Sequence, residues 1–174
     1  MFAADQFNSP TFGTISVAEA VTRMRDFVRQ NTDREYRLIV GSDSLPGHEG
    51  QVYVVTAIVL HRVGNGAMYF WQRRLSGKIH TLRDRMYAEA LASIAMAQRL
   101  EVMSELKTFL EHHIEIHVDV GQDGPTRDMI KELVGMIIAH GYQAKTKPES
   151  FAASKVADRH TIPVPKFILS PVTN

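Results

Sequence analysis

The chain has 174 residues, of which 44% are hydrophobic and 22% charged, as expected for one globular domain with a sizeable core. Its formal net charge is +1, so a nucleic-acid site would have to be a local basic patch. The absence of cysteine excludes disulfides, thiolate metal sites and a cysteine nucleophile. The longest apolar run, 52–60, is too short to span a bilayer, and the N-terminus lacks signal-peptide features, so we expect a cytoplasmic protein without a membrane segment.

The first part of the chain predicts one amphipathic helix after an irregular lead-in. Residues 1–13 are polar and contain Pro10 and Gly13, which favours irregular structure. The stretch Ser16-Val17-Ala18-Glu19 has the Ser-x-x-Glu form of a capping box, and apolar residues then recur at helical spacing. We therefore expect a helix over about 16–30.

Three strands are predicted next, over 36–43, 51–63 and 67–75. The links between them are short and contain glycine, so consecutive strands are expected to pair antiparallel. The second of these strands is apolar almost throughout and is therefore expected to lie in the middle of a sheet.

The second half of the chain alternates helices and strands. It begins with a long stretch of good helix formers, which predicts a helix over about 81–111. The further elements expected are a strand over 114–119, a helix ending near His140, a short strand over 142–147, a last helix over about 148–160 and an extended, proline-containing tail over 161–174.

This order of elements predicts a single α/β domain over 1–174. Its five-stranded mixed sheet would contain three antiparallel strands and then two parallel ones, with helices on its faces and one extra helix at the N-terminus. The fourth strand follows a helix, so a right-handed crossover can return it parallel to the first strand and beside it.

Four acidic residues are expected to meet at one edge of this sheet. Asp43 and Asp119 end the two neighbouring parallel strands, and two carboxylates that close repel each other unless a proton or a cation lies between them. Glu89 falls on the packed face of the long helix, and Asp158 lies on the last helix. Such oxygen ligands suit Mg²⁺ or Mn²⁺. The alternatives are turn caps for the two strand aspartates and a solvent-exposed carboxylate for Glu89.

Several short motifs accompany these acids. They include Gly41-Ser42-Asp43-Ser44, the run His61-Arg62-Val63-Gly64-Asn65-Gly66, the run His117-Val118-Asp119-Val120-Gly121, and the segments 126–127, 145–148, 151–154 and 157–159. Strand aspartate, helix glutamate, strand aspartate and a late helical acid, in this order, resemble the ribonuclease H-like superfamily. The local motifs are similar to those of the bacterial YkuK family of predicted ribonuclease H-like proteins, and the resemblance covers about 14–162.

The acidic cluster and the resemblance together predict metal-dependent hydrolysis of phosphodiester bonds in RNA, DNA or a hybrid of the two. Two divalent ions about 3.5–4 Å apart would flank the scissile phosphate. Asp43 would bridge both ions, and Glu89 and Asp119 would hold the one near the leaving oxygen. Asp158 would hold the ion that activates water. Two other readings stay open: a non-catalytic nucleic-acid-binding adaptor with the same fold, and a phosphatase or nucleotide hydrolase with a small substrate.

Basic residues between the third strand and the long helix are candidates for binding the nucleic-acid backbone. The alternative is a solvated rim of loop charges. A second basic group surrounds the last helix, where His160 is a candidate proton shuttle or a helix-terminal histidine. We expect a monomer or a homodimer. The first group is Arg73, Arg74, Lys78, Arg83 and Arg85, and the second is Lys145, Lys147, Lys155 and Arg159.

Overall fold

The structure, a computed structural model, describes residues 6–103, 114–122 and 126–161, without the side chains of His48, Ala153 and Ser154. Its strands are β1 (Gln6–Ser9), β2 (Gly13–Ser16), β3 (Tyr36–Pro46), β4 (Gln51–Arg62), β5 (Ala67–Lys78), β6 (Ile114–His117) and β7 (Gln143–Lys145). Its helices are α1 (Val17–Arg29), α2 (Leu82–Glu101), α3 (Ile130–Ala139) and the π-helix Ala152–Ala157, with short 3₁₀ turns at His48–Gly50 and Arg127–Met129. No helix of the described part is long and apolar enough to cross a membrane.

The strands form one mixed sheet in the order β2-β1-β5-β4-β3-β6-β7. As expected, β3, β4 and β5 are consecutive antiparallel neighbours, and β6 and β7 continue the sheet parallel to β3. Within the described residues, however, the sheet has seven strands and not the expected five. The long crossover between β5 and β6 returns the chain to the side of β3, which places the carboxyl ends of the parallel strands at one edge.

The two additional strands form a hairpin where the polar lead-in was expected to be irregular. Phe7 and Ile15 are cross-strand partners in this hairpin, and their side chains are buried. Phe7 also lies 6.5 Å from the ring of Phe70 on β5, so the hairpin is held by a few apolar anchors in an otherwise polar stretch. Pro10 lies in the turn, and Gly13 adopts a positive φ of 70° where β2 begins. Pro10 and Gly13, from which irregular structure was expected, therefore lie in the turn and at the start of β2.

The helices agree with the predictions except in their length and type. Ser16 caps α1, and its hydroxyl accepts a hydrogen bond from the Glu19 backbone at 3.1 Å, as the capping box predicts. Helix α2 ends at Glu101, and its predicted continuation to about 111 lies mostly outside the described residues, as does the tail after Thr161. The last predicted helix is mainly a π-helix.

The sheet has two differently covered faces. Helices α1, α2 and α3 pack on one of them, called here the three-helix face, and the main core lies between these helices and the sheet. The π-helix packs on the opposite face, called here the π-helix face, where Ala152 contacts Ile39 and Ala157 contacts Val55. Along β3, residues such as Leu38 and Val40 therefore point to the three-helix face, while Ile39 points to the π-helix face.

Candidate active site

The two strand aspartates lie at the same level of the sheet. The parallel register of β3 and β6 pairs Gly41 with His117, and two further residues along each chain bring Asp43 level with Asp119. Asp43 does not end its strand as expected, because β3 continues to Pro46 and Asp43 pairs with Val55 of β4. Asp119 follows the end of β6. The predicted meeting of these two acids at one edge is thus consistent with the register.

The side-chain alternation of β3 separates Asp43 from its serine neighbours. Ser42 and Ser44 bond to residues of α2 on the three-helix face, so Asp43 between them points to the π-helix face. Its cross-strand partner Val55 packs against Ala157 there. Asp158 follows directly on the same segment and is exposed. Asp43 and Asp158 therefore approach each other on the π-helix face.

The charges around Asp43 interact with one another. Burial raises the pKa of Asp43 from 3.8 to about 6, against the opposing effect of a hydrogen bond from the Ser44 backbone. The negative charges of Asp158 and Asp119 raise this pKa further, and Arg85 lowers it. The aspartates after β6 and after the π-helix are thus both within electrostatic reach of Asp43.

Glu89 approaches the same place from the three-helix face. Its side chain is buried, with 3% of the residue exposed, so the alternative of a solvent-exposed carboxylate is wrong. Burial is the main reason that the pKa of Glu89 is raised to about 8. A hydrogen bond from Ser44 and the charge of Arg85 lower this pKa, whereas the charges of Asp43 and Asp119 raise it. A buried carboxyl beside two other carboxylates is destabilised as an anion unless a cation is present.

Hydrogen bonds through Ser44 connect Glu89 to Arg85, which lies one turn earlier on the same side of α2. The hydroxyl of Ser44 donates to Glu89 Oε1 at 2.6 Å, and Arg85 Nε donates to the same hydroxyl at 3.0 Å. Arg85 Nη2 also donates to the Ser44 carbonyl at 2.8 Å. Sequence reasoning placed Arg85 in a basic patch and missed this positioning role. The signal was the spacing of four residues between Arg85 and Glu89, which places both on one side of a helix.

Asp119 has a cation beside it that sequence reasoning did not assign. The ammonium Nζ of Lys147 lies 3.1 Å from Asp119 Oδ1. This oxygen is buried, and it has no hydrogen bond of acceptable geometry, so the contact is an ion pair only. The buried oxygen therefore retains acceptor capacity that the described protein atoms do not satisfy.

The described residues contain no ready-made set of three histidine, aspartate or glutamate side chains at metal-binding distances. The chemistry of the four acids nevertheless fits a hard divalent cation. All their donors are carboxylate oxygens, Asp43 and Glu89 are destabilised as anions by burial, and Asp119 keeps a buried oxygen without a hydrogen bond. A divalent cation would compensate all three features.

Two histidines anchor the segment that carries Asp158. The backbone N–H of Ala152 donates to His117 Nδ1 at 3.3 Å, so the neutral ring carries its proton on Nε2, which faces Glu115 Oε2 at 3.3 Å. Burial lowers the pKa of His117 and favours this neutral form. At the other end of the segment, His160 stacks on Trp71 with the ring centroids 4.3 Å apart.

His160 has the contacts of a packing residue. Its Nε2 lies 3.3 Å from the hydroxyl of Tyr69, and its carbonyl accepts a hydrogen bond from Arg73. Burial, followed by the charges of Arg159 and Arg73, lowers the pKa of His160. These contacts favour anchoring of the segment over proton transfer.

The five basic residues predicted to bind nucleic acid do not share one face. Arg73 points to the π-helix face, whereas Arg74 alternates to the three-helix face, where its Nη2 lies 3.4 Å from Gln72 Oε1. Lys78 is exposed at the end of β5. Arg83 forms an exposed ion pair with Glu132 of α3, and Arg85 supports Ser44 as described above. The run is contiguous in sequence, but strand alternation divides it.

The comparisons with known proteins agree with this architecture. The family model described as "Ribonuclease H-like" matches residues 19–162. The chain is also 31% identical over 159 residues to "Uncharacterized protein YkuK" of Bacillus subtilis (strain 168), with 82% of this chain and 89% of that protein covered. No solved structure matches the chain significantly.

Proposed function

We propose that this chain, which belongs to the ribonuclease H-like family of the YkuK type, is a divalent-metal-dependent nuclease that hydrolyses phosphodiester bonds. One observation supports the proposal: Asp43 on β3 interacts electrostatically with three other acids, which are Glu89 of α2, Asp119 after β6 and Asp158 after the π-helix. A protein gains nothing in stability from such a concentration of partly buried carboxylates, so a ligand that needs them is the simplest reason for it.

The residues that would hold Mg²⁺ or Mn²⁺ are Asp43, Glu89, Asp119 and Asp158. Metal bound there would supply Lewis-acid stabilisation of the phosphate and would lower the pKa of a coordinated water. The protein's own part is to bring the acids together and to fix their orientation. Asp43 and Asp119 are held by the sheet, and Asp158 is held by a segment anchored at both ends.

The acidic cluster is buried on the three-helix face and accessible to solvent on the π-helix face. Ser44 of β3 and Glu89 of α2 are both buried where they meet, and Arg85 fixes the Ser44 hydroxyl so that it donates to Glu89. Asp43 is only partly buried, and Asp158 is exposed. A phosphodiester would therefore approach from the π-helix face. Glu89 would contribute its carboxyl group from the opposite, buried side, where its position does not depend on solvent.

The proposal is tested by incubating labelled RNA, DNA and RNA–DNA hybrid oligomers with the protein and Mg²⁺ or Mn²⁺. We expect cleavage of at least one substrate, and a loss of about 100-fold or more in Asp43→Asn and Asp119→Asn, as for removal of a transition-state-stabilising group. Asp26→Asn on α1 is the matched control, because Asp26 is exposed and pairs with Arg25. Full activity in Asp43→Asn would contradict the proposal.

The absence of a ready-made ligand triad in the described residues favours one second candidate, a nucleic-acid-binding adaptor that does not need metal. Calorimetric titration distinguishes the two. Binding of Mg²⁺ or Mn²⁺ that is lost in Asp119→Asn supports the nuclease. Binding of oligomers without any metal binding supports the adaptor. Release of inorganic phosphate from nucleotides, without cleavage of oligomers, would indicate a small-substrate hydrolase.

A further inference from the structure

Lys147 forms an ion pair with Asp119, which would have to give up this pair in order to bind a metal ion. It follows β7, and its backbone N–H donates to the Val120 carbonyl at 2.9 Å, which fixes the start of its side chain beside Asp119. The ammonium lies 3.1 Å from the buried Oδ1 of Asp119, and about half of the lysine side chain is exposed. The lysine thus reaches inward from solvent to an oxygen that is otherwise without a hydrogen bond.

We infer that Lys147 is a built-in counter-cation of the acidic site, which neutralises Asp119 in the metal-free protein and is displaced from it when a divalent metal binds. This inference rests on the proposed function. An oxygen 3.1 Å from an ammonium cannot also accept a close divalent ion without strong repulsion between the two cations. The half-exposed, flexible side chain of Lys147 can move into solvent, whereas Asp119 cannot, because it is held next to β6.

By thermodynamic linkage, the ion pair and the metal must weaken each other by the same factor. An exposed to half-buried ion pair contributes at most about 1 kcal/mol, which corresponds to about fivefold in affinity. Lys147→Met should therefore bind Mn²⁺ up to about fivefold more tightly than the unaltered protein. Lys147→Arg, which keeps a cation next to Asp119, should retain most of the competition.

Lys145 provides a matched control on the same stretch of chain. It pairs with Glu149 at 3.7 Å and lies level with His117 rather than with Asp119. Lys145→Met removes the same charge two positions away, so a general effect of net charge on metal binding would appear in both variants. Only loss of the ion pair to Asp119 would appear in Lys147→Met alone.

A second readout does not need activity, and its main measurement uses the unaltered protein. Labelling with an amine-reactive reagent, followed by mass spectrometry, measures how accessible each lysine is. Addition of Mg²⁺ should raise the labelling rate of Lys147 by up to about fivefold and leave that of Lys145 unchanged. In Asp119→Asn, Lys147 should label rapidly without metal and should not respond to Mg²⁺.

The outcomes separate this inference from the proposed function. If the protein binds Mn²⁺ but Lys147→Met binds it equally or less tightly, Lys147 is not a competitor and the inference is wrong, while the metal site stands. If neither the unaltered protein nor Lys147→Met binds Mn²⁺, both proposals are wrong. Tighter binding in Lys147→Met, with Lys145→Met unchanged and metal-dependent labelling of Lys147, supports both.

Discussion

Replacement of Glu89 by glutamine is expected to stabilise the metal-free protein at alkaline pH. Burial raises the pKa of Glu89 from 4.5 to about 8, so the folded state favours the protonated carboxyl. The stabilising effect of that proton is complete below pH 4.5 and is lost as the pH rises through about 8. Each tenfold change in proton affinity corresponds to about 1.4 kcal/mol, so ionisation of Glu89 costs up to about 5 kcal/mol above pH 8. Glutamine keeps the shape of the side chain without that charge.

The assay is urea unfolding of both proteins in a chelator at pH 5, 7 and 9. The stability difference in favour of Glu89→Gln should grow from pH 5 to pH 9, and Mg²⁺ should reduce it by stabilising the protein with Glu89 more than the variant. Glu149→Gln is the control, because this glutamate is largely exposed and should show no such trend. A Glu89→Gln variant that is less stable than the unaltered protein at pH 9 in chelator would refute the electrostatic argument.

Three further substitutions test the supports of the site. Ser44→Ala removes the hydrogen bond that lowers the pKa of Glu89. The free energy of unfolding, measured by chemical denaturation, should therefore fall by about 1–3 kcal/mol at pH 9 and by less at pH 5. His117→Ala removes the acceptor for the Ala152 N–H and should cost about 1–3 kcal/mol in thermal unfolding, with faster hydrogen exchange of that segment. Arg83→Ala breaks the exposed ion pair with Glu132 and the contacts of Arg83 with Tyr87, and should change the free energy of unfolding by less than about 1 kcal/mol.

Local patterns were sufficient for most elements of the fold. The capping box at Ser16 and the alternation of short apolar runs identified α1 and the strands β3 to β7, because helical and strand periodicities differ and the runs are long enough to show them. The β1–β2 hairpin was missed because it depends on Phe7 packing near Phe70, a contact between residues far apart in the chain. A four-residue strand with a single buried aromatic has almost no periodic signal.

Some features of the candidate site could likewise be predicted from local patterns in the sequence, and others could not. Adjacency of the strands carrying Asp43 and Asp119 could be predicted from the crossover rule, and the packed position of Glu89 could be predicted from helical spacing. The separation of Arg73 from Arg74 onto opposite faces follows from strand alternation, once both are known to lie inside β5. The prediction treated them as one patch, although both lie inside the strand expected over 67–75, because it considered only their closeness in sequence.

The amino-acid sequence by itself determined the order of the elements after β2 and indicated four candidate acids, because periodicity and turn chemistry are local properties of the chain and crossover handedness restricts how the strands can pair. Only the tertiary structure decided which side chains compensate the charges of those acids. Arg85 reaches Glu89 through Ser44, and Lys147 reaches Asp119 from the end of β7. Such pairings depend on which side chains converge after the sheet has formed. The spacing of Arg85 and Glu89 places them on one side of α2, but nothing in the sequence indicates that Ser44 connects them or that Lys147 lies beside Asp119.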